Sequence, residues 1–488
     1  MTLADVFKGL GMASDAIGGG PEELKQEITT ATIDSREARP GALFFAFEGE
    51  CTDGHDFVGD AFSRGAVAAI VQHDVAVDAT MLDLTEPQTL STELKGQTLP
   101  LVLKVEGTLQ ALHRLATFWR RSQTGLRVVG ITGSVGKTTT KELAAAVLAR
   151  RYVTIKSEAS YNNEIGLPLT LLHLTSEHER AVLEMGMYDV GEIADLADMG
   201  QPHVGVVTII RPVHLERAGS FERIVEAKTE LVEALPPGPE GVAVLNYDDE
   251  NVRNMAGSTQ ADVFTYGLSP EADLWADQIQ GLGLEGIRFR MHHQGETLHV
   301  RVPLLGRHSV HTALRAAAVG LIERLTWQEI VEGLRGVEPS DQLRLVAVQG
   351  PGGATILDDT YNASPASTIA ALNLLDELEG RKIAVLGDML ELGDYEHEGH
   401  EKVGMRALEV ADVVVTLGPL GRIIGETALR WGMSSDAVHM LDDNDEAVRL
   451  LKDLVRGDDV ILVKGSRALK MEQIVDSLSS RSSGPSCA

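Results

Sequence analysis

The 488-residue chain carries 43 Lys and Arg against 72 Asp and Glu, a formal charge of −29. That surplus repels nucleic acid and anionic lipid, and no local basic patch offsets it, so neither is an expected partner. With 43% hydrophobic residues and no apolar run of 18, the chain has ample material for several buried cores and none for a membrane span.

The start, MTLADVFKGLGM, lacks a basic stretch followed by an apolar one, so no signal peptide is expected. Cys51 and Cys487 stand far apart, which supports neither a disulfide framework nor a cysteine metal site, and a cytoplasmic location follows. Residues 1–105 read as a first domain: short apolar strands alternate with turn clusters, and the region ends in the polar stretch LTEPQTLSTELKGQTLP, a loop or linker.

Residues 106–338 alternate apolar strands (Val128–Thr132, Ala181–Met185, Val204–Ile210, Val242–Asn246) with helical segments, the pattern of a mostly parallel sheet covered by helices. The stretch VVGITGSVGKTTTKELAAAVLARR lies near its start. There an apolar strand runs into Gly133, Ser134, Val135, Gly136, Lys137, Thr138 and Thr139, and an Ala/Leu-rich helix follows, which is a P-loop layout. Polyphosphate must approach backbone N–H groups closely, so the turn uses glycines, while Lys137 adds a point charge and Thr138 offers a hydroxyl to Mg²⁺. The spacing departs from the common pattern, because Ile131 stands five residues before Gly136. ATP or GTP is the expected ligand.

Further along, SYNNEIGLPLT places Asn162 and Asn163 in a turn, and AVLEMGM ends a strand in Glu184, where an Mg²⁺ ligand belongs. His214 follows another strand and Lys228 lies in a helix; alone, neither indicates a role. Residues 339–488 hold four more apolar strands (Ala354–Leu357, Lys382–Leu386, Val413–Leu417, Val460–Val463) spaced by helices, a Rossmann-like pattern without its glycine fingerprint. The tail SSRSSGPSCA is low complexity, with disorder expected.

TGSVGKTTTKE, SYNNEIGLPLT, EMGMYDVGEI, VHLERAGSFERIVEAK, GRHSVHTALRAAAVGL, LRLVAVQGPGGATILDDTYNASPAS, LGDMLELG and VKGSRALKMEQIV occur in the order seen in the Mur ligases. The chain resembles this family, ATP-dependent amide-forming enzymes of peptidoglycan precursor synthesis, from Asp34 to about Val475. DDTYNASP and GDMLELG resemble the members that add D-alanyl-D-alanine to UDP-N-acetylmuramoyl-tripeptide, and the Asp-Asn-Pro-Arg motif of many diaminopimelate-adding members is absent.

The resemblance implies an α/β protein of three domains: an N-terminal domain for the UDP end of the substrate, a central ATPase and a C-terminal Rossmann-like lid. It implies Lys137 on the β- and γ-phosphates, Thr138 and Glu184 on one Mg²⁺, and His214 with a carbamylated Lys228 supporting a second. Arg344 resembles the arginine that reaches the phosphates on lid closure. His308 and Asp359 fall at the nucleotide, Asn362 and Ser364 where nucleotide and dipeptide sites meet, and Asn162 and Asn163 among substrate contacts. Ser35, Arg36, Asp53 and His55 match motifs lining the uridine nucleotide site, and a monomer is expected. Two departures stand out. Ser309 and Thr312 replace amides expected near adenine, and Ile209, Arg211 and Pro212 stand where Asn, Gly and Glu are common. A ligase acting on another carboxylate and a non-catalytic nucleotide-binding regulator are the competing readings.

Overall fold

The computed structural model describes residues 1–12, 22–49, 52–85, 98–158, 160–212, 215–337 and 345–479. Most of the polar stretch before residue 100, the low-complexity tail, His214, Arg344 and the expected boundary at 338/339 lie outside the described residues. The chain gathers into two compact units. One holds Met1–Gly130, Tyr152–Gly186 and Glu192–His203, and the other Ile131–Arg151, Met187–Gly191 and Val204–Ala488.

In the first unit a five-stranded sheet runs in the spatial order Thr30–Thr32, Ala42–Phe45, Ala68–Val71, Leu101–Lys104, Thr80–Asp83. Every pairing in it is parallel. Ala42–Phe45 and Ala68–Val71 are buried at every position, as strands covered on both faces must be. Phe44, Val58, Ala61, Val71 and Val102 join in one core on this sheet. The helix Thr108–Ser122 buries Leu112, Leu115 and Ala116 and also Arg120. Arg120 stays buried because its guanidinium donates to the carbonyls of Gly200, Gln123, Leu126 and Gln201, so the fork ties the end of its own helix to a second segment.

In the second unit Val204–Val207, Val242–Asn246, Asp262–Gly267 and Leu274–Gly281 pair in parallel succession. Ile287–His293 and Glu296–Val302 then continue antiparallel. A six-stranded sheet follows in the order Val346–Gln349, Thr355–Asp359, Asp459–Lys464, Arg381–Gly387, Val413–Leu417, Val438–Leu441, antiparallel only at its first pair. Two buried clusters belong to it, one containing Leu357, Leu386 and Leu462, the other Ile356, Val385 and Val463; alternate residues of each strand serve opposite faces.

The α/β class and Rossmann-like C-terminal sheet stand, with corrections in detail. The strand expected over Val204–Ile210 stops at Val207, because the backbone leaves the ladder to brace the phosphate loop: Ser134 N–H donates to Ile209 O at 2.7 Å. The strand expected over Ala354–Leu357 runs over Thr355–Asp359 and so carries Asp359 at its end. The strand Ile287–His293 has no apolar run to mark it in the sequence because it alternates: Ile287, Phe289 and Met291 are buried, with Arg288 exposed between them. Among the described residues no helix is long and apolar enough to cross a membrane.

The helix Lys137–Leu148 packs against Ser309–Ile322 and Trp327–Arg335, and glycine makes the second contact close. A Cβ on Gly333 would stand 2.5 Å from Val147 Cα and 3.1 Å from Ala146 O, both backbone atoms. Gly333→Ala is therefore expected to cost about 1–3 kcal/mol despite its better helix propensity, read as a lowered urea midpoint with an unchanged slope.

Candidate active site

The strand Arg127–Thr132 delivers a buried Thr132 to the loop, and the helix starts at Lys137. Gly133 has φ 138° and Gly136 φ 83°, values that L side chains resist. At Gly133 a Cβ would also meet Thr208 Oγ1 at 1.9 Å. The loop is fixed by side chains that reach its backbone. Thr208 Oγ1 donates to Val135 O at 2.7 Å, Thr140 Oγ1 to Gly136 O at 2.6 Å and Lys137 Nζ to Gly133 O at 2.9 Å. Ser134 Oγ donates to Arg211 O and accepts from Arg211 N–H, both at 2.9 Å. Arg211 is held in turn by Asp249 at 3.0 Å, whose Oδ2 also accepts from Ile210 N–H. No side chain caps the helix start, so its first N–H groups suit an anion. Thr138 is buried and Thr139 half-buried in that first turn.

In the first unit Glu184 closes the strand Arg180–Glu184 and is fully buried. Its Oε1 accepts from Asn162 Nδ2 at 2.9 Å, whereas Oε2 is buried with no hydrogen-bond partner among the described residues. A buried carboxylate with one bare oxygen is costly, and a hard cation is the ligand that oxygen suits. Asn162 and its neighbour thus differ: Asn163 Oδ1 accepts from Gly166 N–H at 2.9 Å and shapes the turn into the helix Gly166–Leu172.

Lys228 sits in the helix Phe221–Glu233, started by Ser220, and is 3% exposed, contrary to the usual fate of a helical lysine. Among the described residues its amine has no hydrogen-bond or ion-pair partner. Burial first, and the charge of Lys137 second, hold its pKa well below the ordinary lysine value, against the opposing pull of Glu230.

The remaining expected residues form separate groups. Asp359 pairs with Lys464 at 2.6 Å, and Lys464 Nζ also donates to Asn362 O at 2.8 Å, so Lys464 joins two expected residues and was itself missed. Ser364 caps the helix Pro365–Glu377 through a reciprocal pair with Ser367. His308 is exposed immediately before the helix Ser309–Ile322. In the first unit Ser35 is buried and Arg36 pairs with Asp34 at 2.6 Å. His55 Nε2 accepts from Gln72 N–H at 2.9 Å, so its proton lies on Nδ1 and is donated to Asp53 at 2.6 Å. The N–H and ring of His55 lower the Asp53 pKa. His73, another residue the sequence did not single out, stacks on His55 with ring centroids 3.9 Å apart. Its pKa is raised by the carbonyl of Asp74 and by Asp53, against some burial.

Comparison with known proteins gives this arrangement its family. Residues 131–320 match the Mur ligase middle domain, 343–467 the Mur ligase, glutamate ligase domain, and 27–120 the Mur ligase family, catalytic domain. The chain is 35% identical over 463 residues to UDP-N-acetylmuramoyl-tripeptide–D-alanyl-D-alanine ligase of Bacillus subtilis, covering 94% of each. The chain belongs to the Mur ligase family. Its fold is similar to that of MurF from Acinetobacter baumannii, with a TM-score of 0.81, 29% identity and 98% of each chain covered. It is also similar to MurF ligase from Thermotoga maritima in complex with ADP, with a TM-score of 0.75, 26% identity, and 92% of this chain and 97% of that one covered. As a Mur ligase the chain is an ATP-dependent ligase of the three-domain fold.

For a Mur ligase loop shaped this way, Gly133→Ala should lower stability by about 1–3 kcal/mol through its clash with Thr208. The double variant Gly133→Ala/Thr208→Ala should lose less than the two single variants added together, because it removes the same collision. Denaturant melts of the three variants check this non-additivity.

Proposed function

We propose that this Mur ligase joins D-alanyl-D-alanine to UDP-N-acetylmuramoyl-tripeptide, giving the pentapeptide precursor of peptidoglycan, ADP and phosphate. The observation that carries the reading is 35% identity, over 94% of both chains, to a ligase of that name. The braced P-loop supports it. The tripeptide's terminal carboxylate attacks the γ-phosphorus, the bond to the bridging oxygen breaks, and ADP leaves an acyl phosphate. The dipeptide amine then attacks the acyl carbon, loses a proton and expels phosphate. A carboxylate is a poor electrophile, so phosphorylation supplies the leaving group, and the protein's share is alignment and neutralisation of charge.

Gly133, Ser134, Gly136, Lys137, Thr138 and Thr139 hold the phosphates, with Arg344 reaching them in the closed state. His308 and Asp359 face the nucleoside. Ser35, Arg36, Asp53 and His55 serve the uridine nucleotide end, and Asn162, Asn163, Asn362 and Ser364 the remaining substrate contacts. Thr138, Glu184, His214 and Lys228 hold Mg²⁺, two ions in all, a role that the bare Glu184 Oε2 fits. Bound there, Mg²⁺ neutralises the charge that develops on the transferred phosphoryl group. Lys228 acts as a carbamate: its ammonium loses one proton, the neutral amine adds to CO₂ as an N–C bond forms and a C–O π bond opens, and a second proton leaves, turning a cation into an anion. Burial that depresses the Lys228 pKa favours the neutral amine this step needs. The domains divide at 105/106 and 338/339, and the chain works as a cytoplasmic monomer.

The test is phosphate release from Mg·ATP and UDP-N-acetylmuramoyl-tripeptide with D-alanyl-D-alanine, with single amino acids, or with no amine. Dipeptide-dependent release with a pentapeptide product by mass is expected; release driven by a single amino acid instead would sink the assignment. Lys228→Ala should lose most activity and regain part with added short carboxylates. Because the carbamate releases a proton on forming, parent activity in CO₂-free buffer should fall more at low pH than at high pH, and bicarbonate should restore it.

A further inference from the structure

Arg315, in the second turn of the helix Ser309–Ile322, is a cation the expected site does not use, and it is 4% exposed. Its Nε donates to Thr140 Oγ1 at 2.8 Å, its Nη2 to Thr312 Oγ1 at 2.7 Å and its Nη1 to Tyr266 Oη at 3.4 Å. All three acceptors are neutral hydroxyls, and among the described residues no carboxylate lies within ion-pair distance of the guanidinium. A buried charge resting only on neutral dipoles is poorly compensated. What faces it is the phosphate loop. A Cβ on Gly136 would stand 3.1 Å from Arg315 Nη2, so the guanidinium lies directly against the residue that turns the loop into its helix.

The three hydroxyls lead back to the same loop. Thr140 Oγ1 donates to Gly136 O. Tyr266 Oη, fully buried, donates to Thr208 O at 2.8 Å, and Thr208 Oγ1 donates to Val135 O. One guanidinium therefore steadies both Val135 and Gly136 while placing a positive charge behind the backbone that receives the nucleotide.

We propose that Arg315 is a positioning residue that sets affinity for the nucleotide polyphosphate, by fixing the Val135–Gly136 turn and by its own charge acting through the loop. The proposal rests on the ATP-dependent ligase reading. The charge is present with ground-state ATP, with ADP and with the transition state alike, so its removal weakens binding uniformly and spares turnover.

The experiment measures Mg·ADP dissociation constants by calorimetry at two salt concentrations, and kcat and KM for ATP, in the parent, Arg315→Met, Arg315→Gln and Arg315→Lys. Arg315→Met and Arg315→Gln are expected to weaken Mg·ADP and raise KM about 10- to 30-fold, the size of a charge interaction across a few ångströms of protein. Their kcat should stay within about 3-fold of the parent. Arg315→Lys, which keeps the charge but loses the fork, should recover most of the affinity. Unchanged Mg·ADP affinity in a folded Arg315→Gln protein would make Arg315 a brace alone and overturn the proposal. So would an Arg315→Lys protein that binds as weakly as Arg315→Gln. Mg·ADP binding and dipeptide-driven phosphate release by the parent report separately on the ligase reading.

Discussion

A loop that grips polyphosphate with its own N–H groups must give its carbonyls other donors, or those carbonyls will turn the peptide planes the wrong way. Here each carbonyl from Gly133 to Gly136 for which a partner is known receives a side-chain donor from a fixed element: Lys137 for Gly133, Thr208 for Val135, Thr140 for Gly136. The two positive φ values at Gly133 and Gly136 then follow as the geometry that satisfies both requirements.

The same economy governs the buried charges. Glu184 in the first unit keeps one oxygen without a hydrogen bond, while in the second the Lys228 amine and the Arg315 guanidinium are buried without an ion-pair partner among the described residues. Each would be cheaper as an apolar side chain if folding were the only demand. Under the proposed function, ligands offset these costs: a cation at Glu184, CO₂ chemistry at Lys228, and polyphosphate whose charge reaches Arg315 through the loop. Nucleotide and metal binding should then stabilise the fold as well as the reaction.

Local chemistry made much of this legible in advance. Glycines before Gly-Lys-Thr after an apolar strand have few uses, and a carboxylate ending a buried strand has few neighbours that tolerate it. What stayed hidden depends on contacts between distant segments. Arg315 in HTALRAAAVGL looks like a solvated helical residue until Thr140 and Tyr266 are placed around it. Lys464 looks like a strand terminus until it meets Asp359 and the Asn362 carbonyl. Asn162 and Asn163 are chemically identical in the sequence, and only the path of the chain sends one to Glu184 and the other to its own turn. The hairpin strands from 274 to 302 were hidden for another reason: with one face exposed they alternate, and alternation over seven residues is a weak signal.

The positions where the chain departs from the family's motifs are not gaps in the site. Arg211 exchanges backbone hydrogen bonds with the Ser134 hydroxyl and anchors its side chain on Asp249, so the segment from Ile209 to Arg211 braces the loop's first half. Thr312, where an amide is common, accepts from Arg315, which touches the loop's second half. A longer amide at 312 would have to share this space with the guanidinium, and an alanine at 315 would leave the Thr140 hydroxyl with one partner fewer. The substitutions therefore form two supports for one loop. Each departure is thus held by hydrogen bonds of its own to the loop or to a residue that touches it, which is why the altered motifs are compatible with a working nucleotide site.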